Sequence, residues 1–390
     1  MPKWTFKKNK MSSIERIPVF VPSLGKDTIE HISKTIDAGW LGMGATTEEF
    51  EERIANFLDL KDRFVVSTNT GTSALHIALR TAGVGSGDEV ITPSFNYVAD
   101  QQAIKMTGAD VIMCDIQDDN LGIDCEKAEK LISDKTKAII PLHFAGIPCE
   151  QKKVYDMAQK YDLRVIEDST HAFGTTINGK KLGSYGDITC FSFDPVKTIT
   201  SIDGGCVVVN DEEENEKIRQ MRLLGMNKDP LERHKFNPKF DYDVVTEGYR
   251  YHLNNVMASV GVSQIKHADE FIKSRQKVCQ EYNHTFSDIE GVKTPQSDFT
   301  NISPFIYSLR ILNNKRESLI KHLDKLGIDV GIHFIPVHKH KYFENAKSGD
   351  MTVTDKVVEE VLTLPLHSNM KSNYVKRVID GIIGFFQNNK

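Results

Sequence analysis

From about residue 60 to 210 the chain alternates short apolar runs with amphipathic stretches, and that alternation restricts its fold more than any single residue does. Phe64-Val65-Val66-Ser67 has the character of a strand, and residues 72–82 place Ala74, Leu75, Ala78 and Leu79 on one helical face. Residues 89–92 are the next expected strand and residues 97–106 the next helix. Strands are expected again at 110–113, 138–141 and 164–167, with helical patterns between them. Strands that alternate with helices build a mostly parallel sheet covered on both faces. Ligands of such sheets bind beyond the carboxyl ends of the strands, where Thr70-Gly71-Thr72 and Asp168 fall.

At 390 residues, one large and one small domain are expected rather than a single core. The division is placed at 1–265, a large domain that includes an N-terminal arm, and 266–390, a smaller α+β unit. A long helix over 257–278 is expected to lead out of the large domain. In the smaller unit, 306–312 is expected as a strand, and 315–326, 357–362 and 372–386 as helices. Residues 227–241 are expected to form an irregular loop. A net charge of −5 supplies no basic field to recruit nucleic acid. No run approaches the roughly 20 apolar residues of a membrane helix, and the start lacks the apolar core of a signal peptide. The cysteines at 114, 125, 149, 190, 206 and 279 are scattered without a CxxC pair. That argues against a disulfide framework or a zinc site and for reduced thiols in the cytoplasm.

Lys197 lies between the β-like runs 189–193 and 205–209, just before Gly204-Gly205. A lysine is ordinarily a solvated surface charge. One that is buried has a lowered pKa, and its neutral amine can attack a carbonyl. Asp168 closes an apolar strand and could cap the following turn, or could pair with a protonated pyridine nitrogen. Thr70-Gly71-Thr72-Ser73 could be a capped turn, or a helix N-terminus that presents amides to a phosphate. Ser192 could add its hydroxyl there. Tyr97 suits core packing or stacking on a ring, and His171 suits the core or a hydrogen bond to a phenolic oxygen. His333, His338, His340 and His367 gather late in the chain without a carboxylate or cysteine at ligand spacing. They are read as polar substrate or interface contacts, and no metal is expected. An anion cradle, then an acid, then a lysine is the chain order of a pyridoxal 5'-phosphate site, with Lys197 as the Schiff-base lysine.

These motifs resemble the DegT/DnrJ/EryC1/StrS family of sugar aminotransferases, of aspartate-aminotransferase fold type I. The likeness runs through 17–22, 39–44, 48–51, Gly71-Thr72-Ser73-Ala74-Leu75-His76, Glu167-Asp168, His171-Ala172-Phe173-Gly174, Phe191-Ser192-Phe193 with Lys197, Pro336 with His338, and Leu364-Pro365-Leu366-His367. The resemblance implies transfer of an amino group, with L-glutamate as donor, to a keto carbon of a nucleotide-linked sugar. It implies a pathway of surface polysaccharide, O-antigen or glycan assembly and a cytoplasmic homodimer with active sites at the interface. Carried over by position, Gly71, Thr72, Ser73 and Ser192 hold the phosphate and Tyr97 stacks on the ring. Asp168 meets the ring nitrogen, His171 the ring oxygen, and Lys197 is catalytic. Gly248-Tyr249-Arg250-Tyr251-His252-Leu253 departs from the family's usual pattern. Arg250 stands where an asparagine reaches the neighbouring subunit's phosphate, and His252 stands where an arginine is usual. His252 and His338 are candidate substrate contacts. The alternatives are a pyridoxal-phosphate sugar dehydratase, which the resemblance associates with histidine at position 197, and a non-catalytic relative of the same fold.

Overall fold

The computed structural model describes residues 15–228 and 242–388. Its elements in chain order are α1 (Lys26–Asp37), α2 (Ala45–Phe57), β1 (Phe64–Thr68), α3 (Gly71–Thr81), β2 (Glu89–Pro93), α4 (Ala99–Met106), β3 (Asp110–Cys114), α5 (Cys125–Glu129), β4 (Thr136–Ile139), α6 (Gln151–Tyr161), β5 (Arg164–Asp168) and a hairpin of β6 (Thr176–Ile177) and β7 (Lys180–Lys181). There follow β8 (Ile188–Ser192), β9 (Gly205–Val209), α7 (Glu212–Met221), α8 (Asn255–Ile265), α9 (Ala268–Phe286), β10 (Val292–Lys293), β11 (Tyr307–Ile311), α10 (Arg316–Lys325), β12 (Lys347–Ser348), α11 (Thr352–Glu360), β13 (Val361–Leu364) and α12 (Ser372–Asn388).

The main sheet runs β1-β9-β8-β5-β4-β2-β3-β12. Neighbours pair in parallel from β12 to β8. β9 runs against both β8 and β1. β2, β8 and β9 are buried along their whole length, as strands covered on both faces must be. Along β9 the pleat sends Val207 and Val209 into a core with Leu75, Leu79 and Val90. It sends Cys206 and Val208 into the opposite core with Phe50, Phe191 and Val262. The expected α/β architecture with a mostly parallel, two-faced sheet is therefore present.

A second, antiparallel sheet, β10-β11-β13, carries the C-terminal part. Its core joins Tyr282, Phe286, Leu309, Leu323, Val378 and Ile382 with Ile17 from near the other end of the chain. Ile17 bridges Ile328, and the Leu366 amide donates to Val19 O at 3.1 Å. Conversely β12, from late in the chain, extends the main sheet beside β3.

Three sequence expectations need correction. The single helix over 257–278 is two helices, α8 and α9, parted at Lys266-His267. His267 takes φ −100°, ψ 1° and its imidazole meets Asp27 Oδ2 at 3.1 Å. Neither glycine nor proline marks that break, and a tertiary contact accompanies it. Residues 357–362 are not one helix: α11 stops at Glu360 and Val361–Leu364 pairs with β11. Strand pairing there overrides a local helical period. The helix expected from Tyr97 begins at Ala99, because the Asn96 carbonyl oxygen captures the Tyr97 amide at 2.6 Å. Most of the loop expected at 227–241 lies outside the described residues. Among the described residues no helix is long and apolar enough to cross a membrane.

Candidate active site

The end of β1 turns directly into α3, and the turn is fixed by its own side chains. Thr70 has extended backbone (φ −153°, ψ 160°) and its hydroxyl oxygen accepts the Ser73 amide at 2.9 Å. Thr68 Oγ1 donates to Thr70 O at 2.8 Å. β9 begins alongside, and Gly205 is required there. A Cβ at that position would sit 2.6 Å from Thr70 O and 2.7 Å from Gly71 Cα. Gly71 is as confined on its other side, where a Cβ would lie 2.8 Å from Ser192 Cβ. Two glycines thus let the start of α3 lie against the ends of β8 and β9. The result is a helix N-terminus whose amides face a cleft.

β8 and β9 bracket the Lys197 loop. Phe193 N donates to Gly204 O at 2.9 Å, and Ser201 N returns to Phe193 O at 2.9 Å. Within it Lys197 N donates to Asp194 O at 3.0 Å, which turns the side chain inward. Lys197 Nζ stands 4.0 Å from the centroid of the Phe305 ring. Burial lowers its pKa to about 8, against the opposing pull of Asp168 and Asp194.

Asp168 ends β5 almost fully buried. Its Oδ1 accepts the Thr170 amide at 2.9 Å, and Asn96 Nδ2 lies 3.4 Å from its Oδ2. His171 is buried, with its ring 4.4 Å from that of Phe305 and 5.7 Å from that of Phe334. Burial, then the nearby Lys197, push its pKa well below the usual histidine range, so the ring is neutral. Its Nδ1 is buried with no hydrogen-bond partner among the described residues.

One cleft of about 1250 Å³, mouth included, gathers Gly71, Thr72, Tyr97, Asp168, His171, Ser192 and Lys197. Tyr97 stands at its mouth, 59% exposed. Four sequence candidates lie off this cleft. The Ser73 hydroxyl is spent on Asn69 Oδ1 (2.7 Å), inside the turn. His338 contacts Ser94 Oγ at 2.7 Å and Asp355 Oδ1 at 3.2 Å through its two ring nitrogens. Arg250 is exposed on a segment bridged to Leu223. His252 is half-buried, and its pKa is lowered by burial and by Arg250 and Arg222. Of the four late histidines, His333 alone is among the cleft residues. Burial, then Lys197, lower its pKa to about 4. Among the described residues, no group of three His, Cys, Asp or Glu could hold a metal ion.

Sequence reasoning passed over Asn96, Asp203, Phe305 and Phe334, which also line the cleft. Phe305 and Phe334 arrive from the C-terminal part through the fold, and no local pattern announces them. Asn96 had a readable signal, since it stands one helical turn before the buried Asp100.

Comparison with known proteins agrees with this architecture. The profile of the DegT/DnrJ/EryC1/StrS aminotransferase family matches residues 22–383. The spore coat polysaccharide biosynthesis protein SpsC of Bacillus subtilis is 34% identical over 375 residues, 94% of this chain and 96% of that protein. GDP-perosamine synthase of Caulobacter vibrioides is 32% identical over 375 residues, covering 95% and 98%. Among solved structures, Spr1654 of Streptococcus pneumoniae superposes in its PMP form with a TM-score of 0.89 at 28% identity, covering 95% of this chain and 99% of that one. Its PLP form gives 0.88 at 27%, covering 96% and 99%. The resemblance read from the motifs thus extends over the whole fold, and the chain belongs to the DegT/DnrJ/EryC1/StrS aminotransferase family.

Proposed function

We propose that this chain uses pyridoxal 5'-phosphate to move an amino group from L-glutamate to a keto carbon of a nucleotide-linked sugar. Its product would enter surface polysaccharide, O-antigen or glycan assembly. Family membership supports the transaminase class, and relatives named for spore coat polysaccharide biosynthesis and GDP-perosamine support a sugar substrate. The carrying observation is the meeting of Lys197, Asp168 and the α3 N-terminus in one cleft.

The residues fit the cofactor. The α3 amides with Thr72 and Ser192 are placed for a phosphate, and buried Asp168 suits a protonated ring nitrogen. The unpartnered Nδ1 of His171 leaves a polar atom for the ring oxygen. Tyr97, at the mouth, is placed to stack on the ring. When bound, the cofactor supplies an electron sink for the carbanion formed at the substrate carbon.

The chain's own residues do the rest. Lys197, with its lowered pKa, offers a neutral amine to hold the aldehyde. Lys197 Nζ would then be the group placed to take up and return the proton of the substrate carbon, the chemistry that the bound cofactor would make accessible. Asp168 keeps the ring nitrogen charged while this happens. Phe305, Phe334 and Tyr97 wall the cleft with aromatic surface and exclude water.

The proposal includes a cytoplasmic homodimer in which Arg250 reaches the partner's phosphate. Supporting it, Leu224, Val244 and Val245 expose apolar surface on segments bridged near Arg250. His252 and His338 are retained as substrate contacts only within that assembly. The domain division at 265/266 is proposed with it, falling at the α8–α9 break.

The test is borohydride reduction of the protein after incubation with pyridoxal phosphate, followed by peptide mapping. The label should fall on Lys197 and vanish in Lys197→Ala. A label on another lysine, or transamination by Lys197→Ala, would refute the assignment.

A further inference from the structure

Asp100 lies in the first turn of α4, one helical turn after Asn96, and is fully buried. Its Oδ2 accepts hydrogen bonds from Asn96 Nδ2 at 2.8 Å and Thr92 Oγ1 at 3.2 Å. Its Oδ1, equally buried, has no donor among the described residues. The orientation of Asn96 is fixed, because its carbonyl oxygen accepts the Tyr97 amide at 2.6 Å. Its Nδ2 therefore faces both carboxyls, with Asp168 Oδ2 at 3.4 Å. One amide nitrogen thus lies 2.8 Å from a carboxyl oxygen of Asp100 and 3.4 Å from one of Asp168, which makes the two carboxyls close neighbours.

An ionised Asp100 would leave a charged oxygen in the interior with no donor. It would also set two anions side by side out of water, which carboxyl pairs avoid by sharing a proton. Among the described residues no cationic side chain forms a salt bridge with Asp100. It faces Thr92 of β2, Asn96 of the preceding loop and Asp168 of β5. Cys190 of β8, the nearby thiol, is itself pushed up by burial and by Asp168. Lys197 acts from the side of Asp168. Burial, then the charge of Asp168, hold the Asp100 carboxyl well above the usual carboxylate range.

We propose that Asp100 is a positioning residue that carries a proton on Oδ1 and donates it as a hydrogen bond to Asp168, fixing that carboxylate in place. Its consequence for the cofactor rests on the reading of Asp168 as the ring-nitrogen partner. An Asp168 carboxylate held in place by that hydrogen bond would stay paired with a protonated ring nitrogen. A cationic ring draws electrons from the linkage to Lys197 and lowers the pH at which that linkage loses its proton.

Asp100→Asn is the natural mimic. Thr92 and Asn96 hold the amide oxygen at the Oδ2 position, so the amide N–H takes the place of the proposed donor. Asp100→Leu removes it. Two measurements decide. In the protein without cofactor, an infrared difference spectrum between the wild type and Asp100→Asn at neutral pH should show a carboxylic-acid C=O band. Its absence overturns the proposal whether or not the cofactor binds. In the loaded protein, the absorbance titration of the bound cofactor should keep its midpoint in Asp100→Asn. It should rise by about one to two pH units in Asp100→Leu, the scale of one hydrogen bond to a charged group. Equal shifts in both variants would mean that a charge at Asp100 acts, and would overturn the proposal. If the wild type binds no cofactor, the reading of Asp168 falls, and the infrared band still decides the proton.

Discussion

Replacing Gly205 with alanine tests the idea that the anion cradle owes its shape to a backbone contact. The added Cβ would meet Thr70 O at 2.6 Å, Gly71 Cα at 2.7 Å and Gly71 N at 2.8 Å. All three are main-chain atoms, so no rotamer change relieves them. To restore a 3.4 Å contact the turn must retreat by about 0.8 Å (3.4 − 2.6), well beyond the slack of a close-packed interior. Overpacking of this kind costs about 1–3 kcal/mol. The same displacement carries the first amides of α3 with it and exceeds the roughly 0.5 Å spread of N–H···O hydrogen-bond lengths. Pyridoxal-phosphate affinity should therefore fall about tenfold or more, or about 1.4 kcal/mol. The control is Gly384→Ala in α12, where an added Cβ meets nothing within 4 Å among the described residues. There alanine should stabilise by about 0.5–1 kcal/mol and leave affinity alone. Urea denaturation of the protein without cofactor measures the first quantity, and an absorbance titration with pyridoxal phosphate the second. If Gly205→Ala retains both, the cradle is not shaped by that approach and the argument is wrong.

Three further outcomes are expected. Capture of the cofactor needs the neutral Lys197 amine, so its rate should rise with pH and level off above about 8. A stopped-flow profile that climbs on toward the ordinary lysine value of 10.5 would contradict the burial of that amine. Glu51 is buried, which pushes its carboxyl up, yet Arg222 and Arg219 hold it down at about 2. Its folded value is depressed, so its contribution to stability is present above the ordinary 4.5 and drains away as pH falls from 4.5 to 2. Glu51→Gln, which strands buried Arg222, should cost about 3–5 kcal/mol in denaturant titrations at pH 7 and should flatten that acid limb. All six cysteines are buried, so a thiol reagent should find none in the native protein and six after unfolding; a fast-reacting thiol in the native state would contradict the packing.

The main sheet was legible in the sequence because its strands are covered on both faces. The apolar runs around Val66, Val90, Val111, Val165 and Val207 need only be read locally. The cleft was legible where one segment supplies the lining, as Thr70–Thr72, Asp168 and Lys197 do. What escaped depends on pairing between distant segments. Val361–Leu364 is a strand because Tyr307–Ile311 lies beside it. At the α8–α9 break His267 meets Asp27, 240 residues away. Phe305 and Phe334 belong to the cleft through the docking of the C-terminal part. Residue type marks Arg250, His252 and His338 as chemically able, and a single chain leaves them off the cleft.

The exchange of segments at the two ends of the chain has a thermodynamic consequence. Ile17 and Val19 are built into the core around β11 and β13, while Lys347 and Ser348 finish the edge of the main sheet. Each half thus holds a piece of the other. If the C-terminal half melts, the β3 edge loses its last strand. If the N-terminal segment detaches, the smaller core loses an apolar side chain. Such an exchange should make the two halves unfold together, and the same stitching would keep the cleft between them in register.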